Sequence, residues 1–265
     1  MASFKDTANP LAKGRTADVY PGGPGTVVKL FHSWVPESDV ESERRKATIA
    51  HSMGIPTPAV GEIVRRDGRI GLVFERAHGV TMLEKMRSES DAIRTLALQL
   101  AELHLDLHQR QAPVELPAQR QLLATKVSRS ALLSQEQRDA VLAILARLPD
   151  GDRMCHGDFH PGNVMLSDRG PMIIDWVDAC RGNPLADVAR SSMLFLGHMN
   201  HAPAQEKEAV RLFHEVYVDR YFAGAKDERT EYRRWLPVVA AARLAEGIAE
   251  QQDWLLDQVR TGIAK

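Results

Sequence analysis

The chain has 265 residues, of which 44% are hydrophobic and 26% are charged, as is typical of a globular protein. Its 34 Lys and Arg residues are balanced by 35 Asp and Glu residues, so the formal net charge of -1 lacks the basic excess of a nucleic-acid-binding protein. We therefore expect no nucleic-acid partner. The 2 cysteines and the lack of an evident signal peptide favour a cytoplasmic protein, and the lack of an apolar run of ~18 residues argues against a membrane partner.

Residues 1–78 are predicted to form a small β-rich lobe with one main helix. Apolar runs between Gly- and Pro-rich turns predict strands at Leu11–Gly14, Ala17–Tyr20 and Thr26–Phe31. The main helix is expected from Pro36 to Met53, because Gly54 is a typical residue just beyond a helix end. A hairpin follows, in which the turn Asp67-Gly68 joins strands at Val60–Val64 and Ile70–Phe74.

Residues 79–265 are predicted to form a larger, mostly helical lobe. Apolar residues recur at three-four spacing from Ile93 to Leu107, which indicates one buried helix face. Ser134 and Gln137 have the spacing of a capping box that opens a helix ending near Leu148. Two short strands are expected at Asn163–Leu166 and Met172–Asp175, and further helices from Pro184, with a polar loop near residues 224–229. The fold class expected is therefore α+β.

The segment from Cys155 to Trp176 carries the chemically informative motif. It reads C-H-G-D-F-H-P-G-N, followed by two apolar strand candidates and I-D-W. Phosphoryl transfer needs a group that accepts the proton of the attacking hydroxyl and oxygen ligands that hold Mg²⁺. Asp158 and Asn163 have the D-x-x-x-x-N spacing for these two tasks, and Asp175 adds a carboxylate at the end of the next strand.

This motif resembles that of the aminoglycoside phosphotransferase and choline kinase-like family. The family has a bilobal protein-kinase-like fold, with a nucleotide-binding sheet in the small lobe and the catalytic loop and acceptor pocket in the large one. Other matching segments occur in the family's order: Val27–Leu30 around a strand lysine, Glu43 on the helix, Ile55–Pro58 after it, Leu72–Ala77 at the hinge, Leu103-His104, and Gly182–Asp187.

The resemblance implies roles for three residues of the catalytic segment. Asp158 corresponds to the catalytic base, which lies near the attacking hydroxyl and orients it. Asn163 and Asp175 correspond to the Mg²⁺ ligands, and hard oxygen donors suit that ion.

The resemblance also implies a nucleotide site in the small lobe. Lys29 would contact the α- and β-phosphates, and Glu43 would hold its ammonium group. The turn from Gly14 to Thr16 would cover the phosphates, although it has one glycine instead of a G-x-G-x-x-G loop. Backbone groups near Glu75 and Ala77 would bind the adenine edge.

The expected activity is Mg²⁺-dependent transfer of the γ-phosphoryl group of ATP to a hydroxyl of a small substrate. The acceptor could be an antibiotic such as an aminoglycoside or a metabolite alcohol; GTP as donor and the oligomeric state stay open. A protein kinase is an alternative, but the eleven residues from Trp176 to Ala186 contain no Ser, Thr or Tyr to phosphorylate. A nucleotide-binding pseudokinase is another, although it has no need for the complete set of catalytic residues.

Histidines and acidic residues outside the motif admit two interpretations each. His104 and His108 have the i,i+4 spacing of some zinc sites, but they lack an H-E-x-x-H motif, and we expect them to anchor the core or a loop, as we expect Asp187 to support the catalytic loop. Four acidic residues would share one face of a continuous C-terminal helix, as a solvated surface or as a site for a cationic acceptor: Glu246, Glu250, Asp253 and Asp257.

Overall fold

A computed structural model describes residues 9–223 and 226–264, without the side chains of Gln205, Lys226 and Asp227. The first eight residues, which enter the expectation about a signal peptide, and residues 224 and 225 of the expected polar loop lie outside the described residues. Within the described ranges, no helix combines the length and the apolar character that crossing a bilayer requires.

The described chain contains runs of short strands and runs of longer helices. The strands are β1 (Ala12–Lys13), β2 (Ala17–Pro21), β3 (Thr26–Phe31), β4 (Val60–Arg66), β5 (Arg69–Glu75), β6 (Gly79–Thr81), β7 (Arg153–Cys155), β8 (Val164–Ser167), β9 (Gly170–Ile173) and β10 (Cys180–Gly182). The helices are α1 (Glu37–Ser52), α2 (Met82–Ser88), α3 (Ile93–Gln109), α4 (Gln119–Arg129), α5 (Gln135–Arg147), α6 (Pro184–His201), α7 (Ala204–Tyr221), α8 (Lys226–Arg243) and α9 (Gln252–Ile263).

The first compact unit ends at Met82 and also contains Gly162–Val177. Its main sheet is antiparallel with the strand order β1-β2-β3-β5-β4, and its smaller sheet has the order β6-β8-β9. A buried cluster of Ala17, Phe31, Val40 and Leu72 joins the main sheet to α1. Because β3 is a central strand, the backbone of Lys29 is fixed by pairing on both sides.

The second compact unit contains Leu83–Pro161 and the chain from Asp178 onward. Helix α3 packs on α7, and α8 packs on both α6 and α9. Large side chains fill these contacts, among them Leu100, Tyr217 and Trp235, each at most 1% exposed. The antiparallel pair β7 and β10 lies next to the catalytic loop in the sequence and pairs Cys155 with Cys180.

The structure confirms the α+β class and several predicted local features. The capping box of Ser134 and Gln137 is formed in both directions at the start of α5. Gly54 adopts the left-handed conformation, with φ of 70°, just beyond the end of α1. The expected polar loop at residues 224–229 is wrong from Lys226 onward, because α8 already begins there.

The observed grouping differs from the predicted division at residue 78 in two ways: the first unit extends to Met82, and an internal segment joins it. Residues 162–177 group with the first unit, because β8 pairs with β6, and because Ile173 at the end of β9 and Trp176 after it bond to the segment that follows α1. The hairpin that leads to Asp175 therefore belongs to the same unit as Lys29.

Candidate active site

The ammonium group of Lys29 lies between two carboxylates in the first unit. Its Nζ is 2.7 Å from Glu43 Oε1 on α1 and 2.9 Å from Asp175 Oδ1 after β9. Burial alone would lower the pKa of Lys29, but the charges of Asp175 and Glu43 outweigh this effect and raise it. Lys29 therefore stays charged. It connects Glu43, 14 positions away in the sequence, with Asp175, 146 positions away.

Glu43 is the buried member of this group, with 2% of its side chain exposed. Burial raises its pKa, although the positive charge of Lys29 opposes that shift. The buried ion pair is costly to form and costly to break by removing one partner. Such an arrangement fixes the position of the lysine more than it stabilises the fold.

Asp175 occupies an unusual backbone conformation at the end of the β8–β9 hairpin. Its φ is 67°, in the left-handed region where Asp is better tolerated than most residues. Residues on both sides of Asp175 are bonded to the segment after α1. Ile173 N donates to Pro56 O, and Trp176 Nε1 donates to Thr57 Oγ1. The Asp175 side chain remains 39% exposed, so one end of it reaches solvent while Lys29 holds the other.

Asn163 lies immediately before β8 in the same unit. Its backbone oxygen accepts a hydrogen bond from Ile174 N at 2.9 Å, which connects it to the residue before Asp175. Asn163 is only 7% exposed. The hairpin therefore brings the amide and the carboxylate of the sequence motif to neighbouring backbone positions.

The turn from Gly14 to Thr16 joins β1 to β2. Gly14 N donates to Ala17 O at 2.9 Å, and the carbonyl oxygen of Thr16 accepts from His32 N. The Gly14 amide thus serves the turn itself in this arrangement. Thr16, the half-buried residue of the turn, is thereby bonded to the residue that follows β3.

The predicted hinge residues Glu75 and Ala77 lie at the end of β5 and just beyond it. Glu75 ends β5, where its carboxylate accepts from Ala59 N and pairs with Arg169 at 2.8 Å. These contacts, the backbone hydrogen bond first, lower the pKa of Glu75. Ala77 is half-buried in the extended segment between β5 and β6. The Glu75 side chain is therefore occupied in structural contacts.

Asp158, the predicted catalytic base, lies in the second unit, where its carboxylate contacts Arg190 and His160. Its Oδ1 is 3.0 Å from Arg190 Nη2 on α6, and its Oδ2 is 3.5 Å from His160 Nε2. Burial would raise the pKa of Asp158, but the His160 hydrogen bond and the Arg190 charge outweigh it and hold the pKa well below its ordinary value. Asp158 is therefore an ionised hydrogen-bond acceptor throughout the neutral range.

Gly157 allows the loop to turn at this point. Its φ is 79°, and a Cβ at this position would lie 2.3 Å from Asp178 O. No other residue type fits without moving the backbone, since real Cβ atoms do not approach an oxygen this closely.

Asp187 is completely buried and holds the backbone just before Asp158. Its Oδ2 accepts from His156 N at 2.6 Å, and its Oδ1 accepts from Gly157 N at 2.8 Å. His104 Nε2 and His108 Nε2 lie 3.2 and 3.3 Å from the same Oδ2. Although burial would raise the pKa of Asp187, these histidine hydrogen bonds lower it well below the ordinary value.

The two histidines are fixed from their other side by tyrosine hydroxyls on α7. Tyr217 lies 2.7 Å from His104 Nδ1, and Tyr221 lies 2.6 Å from His108 Nδ1. Burial, followed by the neighbouring His108, lowers the pKa of His104 to about 3, so this ring is neutral. A neutral ring that donates from Nε2 and accepts at Nδ1 satisfies all these partners. The ligand atoms of His104, His108 and Asp187 also lie within 4.8 Å of one another, but these hydrogen bonds already account for them.

A cavity in the second unit lies beside the catalytic loop. It has a volume of about 50 Å³ and is partly open to solvent, and its polar lining includes Lys126, Asp178, Arg190, Arg243 and Glu246. Lys126 pairs with Asp178 at 3.1 Å, and Arg190 pairs with Glu246 at 2.6 Å. Charges of both signs therefore face the cavity in pairs.

Sequence reasoning missed Arg190 and misplaced Glu246. Arg190 lies 32 positions from Asp158, and the available signal was a single arginine among the apolar residues of α6. The predicted acidic face of a continuous C-terminal helix is wrong, because Gly247 adopts a left-handed φ of 68° and ends the helical turn that carries Glu246. Glu246 consequently points to Arg190, whereas Glu250 and the acidic residues of α9 are exposed.

Comparison with known proteins finds a family model and solved structures that match this chain. The model of the phosphotransferase enzyme family matches residues 7–235 of this chain. No match is found among curated proteins.

Several solved structures share the fold at low sequence identity. A thermostable mutant of aminoglycoside phosphotransferase APH(4)-Ia, in ternary complex with AMP-PNP and hygromycin B, is 17% identical, with a TM-score of 0.63 over 97% of this chain and 92% of that chain. A choline/ethanolamine kinase family protein from Mesorhizobium loti is 16% identical, with a TM-score of 0.59 over 96% and 84% of the two chains. Aminoglycoside phosphotransferase APH(3'')-Id from Streptomyces rimosus, in complex with ADP and streptomycin, is 20% identical, with a TM-score of 0.55 over 84% and 90%.

Proposed function

We propose, on the premise that this chain belongs to the phosphotransferase enzyme family, that it transfers the γ-phosphoryl group of ATP to a hydroxyl of a small molecule. The single observation that carries this proposal is the position of Lys29 between Glu43 and Asp175. A lysine held by one buried carboxylate, next to a second that is partly exposed, is the arrangement that phosphate positioning requires. The nucleotide and antibiotic complexes of proteins with the same fold support the choice of reactants.

The residues present fit a magnesium ion by their donor chemistry. Asp175 offers a partly exposed carboxylate, and Asn163, at a neighbouring backbone position, offers an amide oxygen. Mg²⁺ prefers such oxygen ligands and keeps further positions for phosphate and water. When bound, the ion neutralises charge on the transferred phosphoryl group. The two residues proposed to hold it are therefore Asp175 and Asn163.

Asp158 would orient the attacking hydroxyl and accept its proton as the new bond forms. Because Arg190 and His160 lower the pKa of Asp158, it is a weak base before the reaction. A loose phosphoryl-transfer transition state asks for little early proton transfer, so a well-placed acceptor oxygen serves better than a strong base. Placement of this carboxylate is therefore its main contribution.

The acceptor pocket is proposed to include the cavity beside Gly157 and Arg190. This cavity of about 50 Å³ is partly open to solvent, so an acceptor bound there would extend out of it. The proposed substrate class is the one that the sequence resemblance implies: aminoglycosides and other antibiotics, or metabolite alcohols. Since ATP and Mg²⁺ are supplied inside the cell, we also propose a cytoplasmic location.

The proposal is tested by screening hydroxylated antibiotics and metabolites for ADP release in the presence of Mg²⁺ and ATP. The variant Asp158→Asn serves as the matched control, since it keeps size and loses charge. We expect at least a 10²-fold lower kcat for this variant with nucleotide affinity within about threefold of the wild type. Nucleotide binding without turnover on any acceptor would favour a pseudokinase, and phosphorylation of peptides alone would favour a protein kinase.

A further inference from the structure

Arg190 is bonded to three different groups through its three side-chain nitrogens. Nε donates to Gly157 O at 3.1 Å, Nη2 donates to Asp158 Oδ1 at 3.0 Å, and Nη1 lies 2.6 Å from Glu246 Oε1. Only 13% of the arginine side chain is exposed. Because each of its three nitrogens is bonded, the planar guanidinium cannot rotate without breaking a contact. It therefore restricts the orientation of the groups that it contacts.

Two of these contacts hold the carboxylate of Asp158 relative to its own backbone. One corner of the guanidinium is bonded to the carbonyl of the preceding residue, and the adjacent corner is bonded to the carboxylate. Rotation of the Asp158 side chain would break the second bond while the first remains. The next residue on α6 adds to this support, because Ser191 Oγ donates to Phe159 O at 2.7 Å.

The third contact connects Arg190 to Glu246, in the C-terminal part of the chain. Glu246 is 11% exposed and lies between Arg190 and Arg243, with its Oε2 3.3 Å from Arg243 Nη1. Arg243 in turn donates to Gln251 Oε1 through Nε and Nη2. Glu246 is thus held independently of Arg190, and both residues line the cavity proposed for the acceptor.

We propose that Arg190 is a positioning residue for Asp158 and that Glu246 holds Arg190 in the orientation this task requires. The relay Glu246–Arg190–Asp158 couples the wall of the acceptor cavity to the orientation of the catalytic carboxylate. This inference rests on the proposed role of Asp158 in phosphoryl transfer. It assigns a catalytic support role to a glutamate that the sequence pattern placed on an outer helix face.

The test measures ADP release from Mg²⁺ and ATP with water as the acceptor, and with any acceptor found by screening. We expect Arg190→Met to lower kcat about 10²-fold and Glu246→Gln about tenfold, with the KM for ATP within about twofold of the wild type. Arg190→Lys should retain more activity than Arg190→Met, and added guanidinium ion should raise the kcat of Arg190→Ala. In Arg190→Met, the further change Glu246→Gln should have little effect, because the relay is already broken.

The control variant is Arg138→Met on α5. Arg138 is also partly buried and donates to two backbone carbonyls, at Ser130 and Leu133, but it lies outside the proposed site. We expect this variant to lower the unfolding temperature and to keep kcat. If Arg190→Lys, Arg190→Met and Glu246→Gln keep the wild-type kcat, the relay is refuted.

A crystal structure of Glu246→Gln separates the two proposals. The relay predicts that the Arg190 guanidinium leaves Asp158 Oδ1 and that the carboxylate changes its rotamer. An unchanged Arg190–Asp158 contact would overturn the relay even if the enzyme phosphorylates an acceptor. Absence of any turnover by the wild type, together with the predicted movement, would instead overturn the proposed function and leave the positioning contact standing.

Discussion

Replacing Asp187 by Asn should destabilise the second unit far more than its small change in shape suggests. The carboxylate is completely buried and accepts two backbone N–H groups, from His156 and Gly157, besides its contacts with two histidines. Asn can place its oxygen at only one of the two carboxylate positions. At the other position its amide faces a donor, which leaves a buried N–H group without an acceptor.

The size of the effect follows from these contacts. A buried donor left unsatisfied costs about 1–3 kcal/mol, and each remaining bond weakens by about 1 kcal/mol when the acceptor loses its charge. Removing the cost of burying a charge offsets part of this loss. We therefore expect Asp187→Asn to lower the free energy of unfolding by about 3–5 kcal/mol, a large part of the about 5–15 kcal/mol typical of a protein.

Urea unfolding followed by circular dichroism measures this difference. The matched control is Asp106→Asn on α3, where the carboxylate is 62% exposed and pairs with Arg110 four residues later. This control should change the free energy of unfolding by at most about 0.5 kcal/mol. A loss below about 1 kcal/mol for Asp187→Asn would refute the view that Asp187 supports the loop through its charge.

Two further predictions concern acid stability and metal binding. Because the pKa of His104 is about 3 in the folded protein and 6.5 in an ordinary setting, the unfolded chain takes up the proton first, so stability present above pH 6.5 is lost as the pH falls toward 3. From pH 6.5 to pH 5 this histidine alone should cost about 2 kcal/mol, and thermal unfolding of His104→Gln should show a smaller loss over that range. Asp175→Ala should weaken Mg²⁺-dependent nucleotide binding more than Asn163→Ala does, because a carboxylate brings charge to the ion and an amide only a dipole; equal Mg²⁺ titrations at fixed nucleotide would contradict this order.

The local elements could be predicted where the signal lies within a few residues. The strand Thr26–Phe31 has the predicted bounds, and the Asp67-Gly68 turn joins β4 to β5 as predicted. Three-residue strands such as β7 and β10 could not be predicted, because an alternating pattern needs more residues than they contain. Their pairing is determined by packing in the second unit.

The candidate site residues could be proposed from the sequence, but most of the contacts that support them could not. The resemblance implied that Glu43 holds the ammonium group of Lys29, and the structure places Glu43 Oε1 2.7 Å from Lys29 Nζ. Asp175 was expected only as a Mg²⁺ ligand, and its contact with Lys29 at 2.9 Å was not predicted. No periodicity connects Arg190 with Asp158 or Glu246, because long-range ion pairs depend on how α6 and the C-terminal segment pack. A lone arginine among apolar helix residues was the one local indication of a buried charge partner.

The C-terminal acidic residues illustrate how one glycine changes a functional interpretation. A continuous helix would have placed Glu246 with Asp253 and Asp257 on a common face, available to a polycationic acceptor. The left-handed Gly247 separates Glu246 from α9, so the helical phase on its two sides is unrelated. Glu246 turns inward to a buried arginine, while the two aspartates stay exposed on α9. A cationic acceptor that binds Glu246 must therefore compete with the ion pair between Glu246 and Arg190. For this reason, neutral hydroxyl compounds are the first acceptors to test.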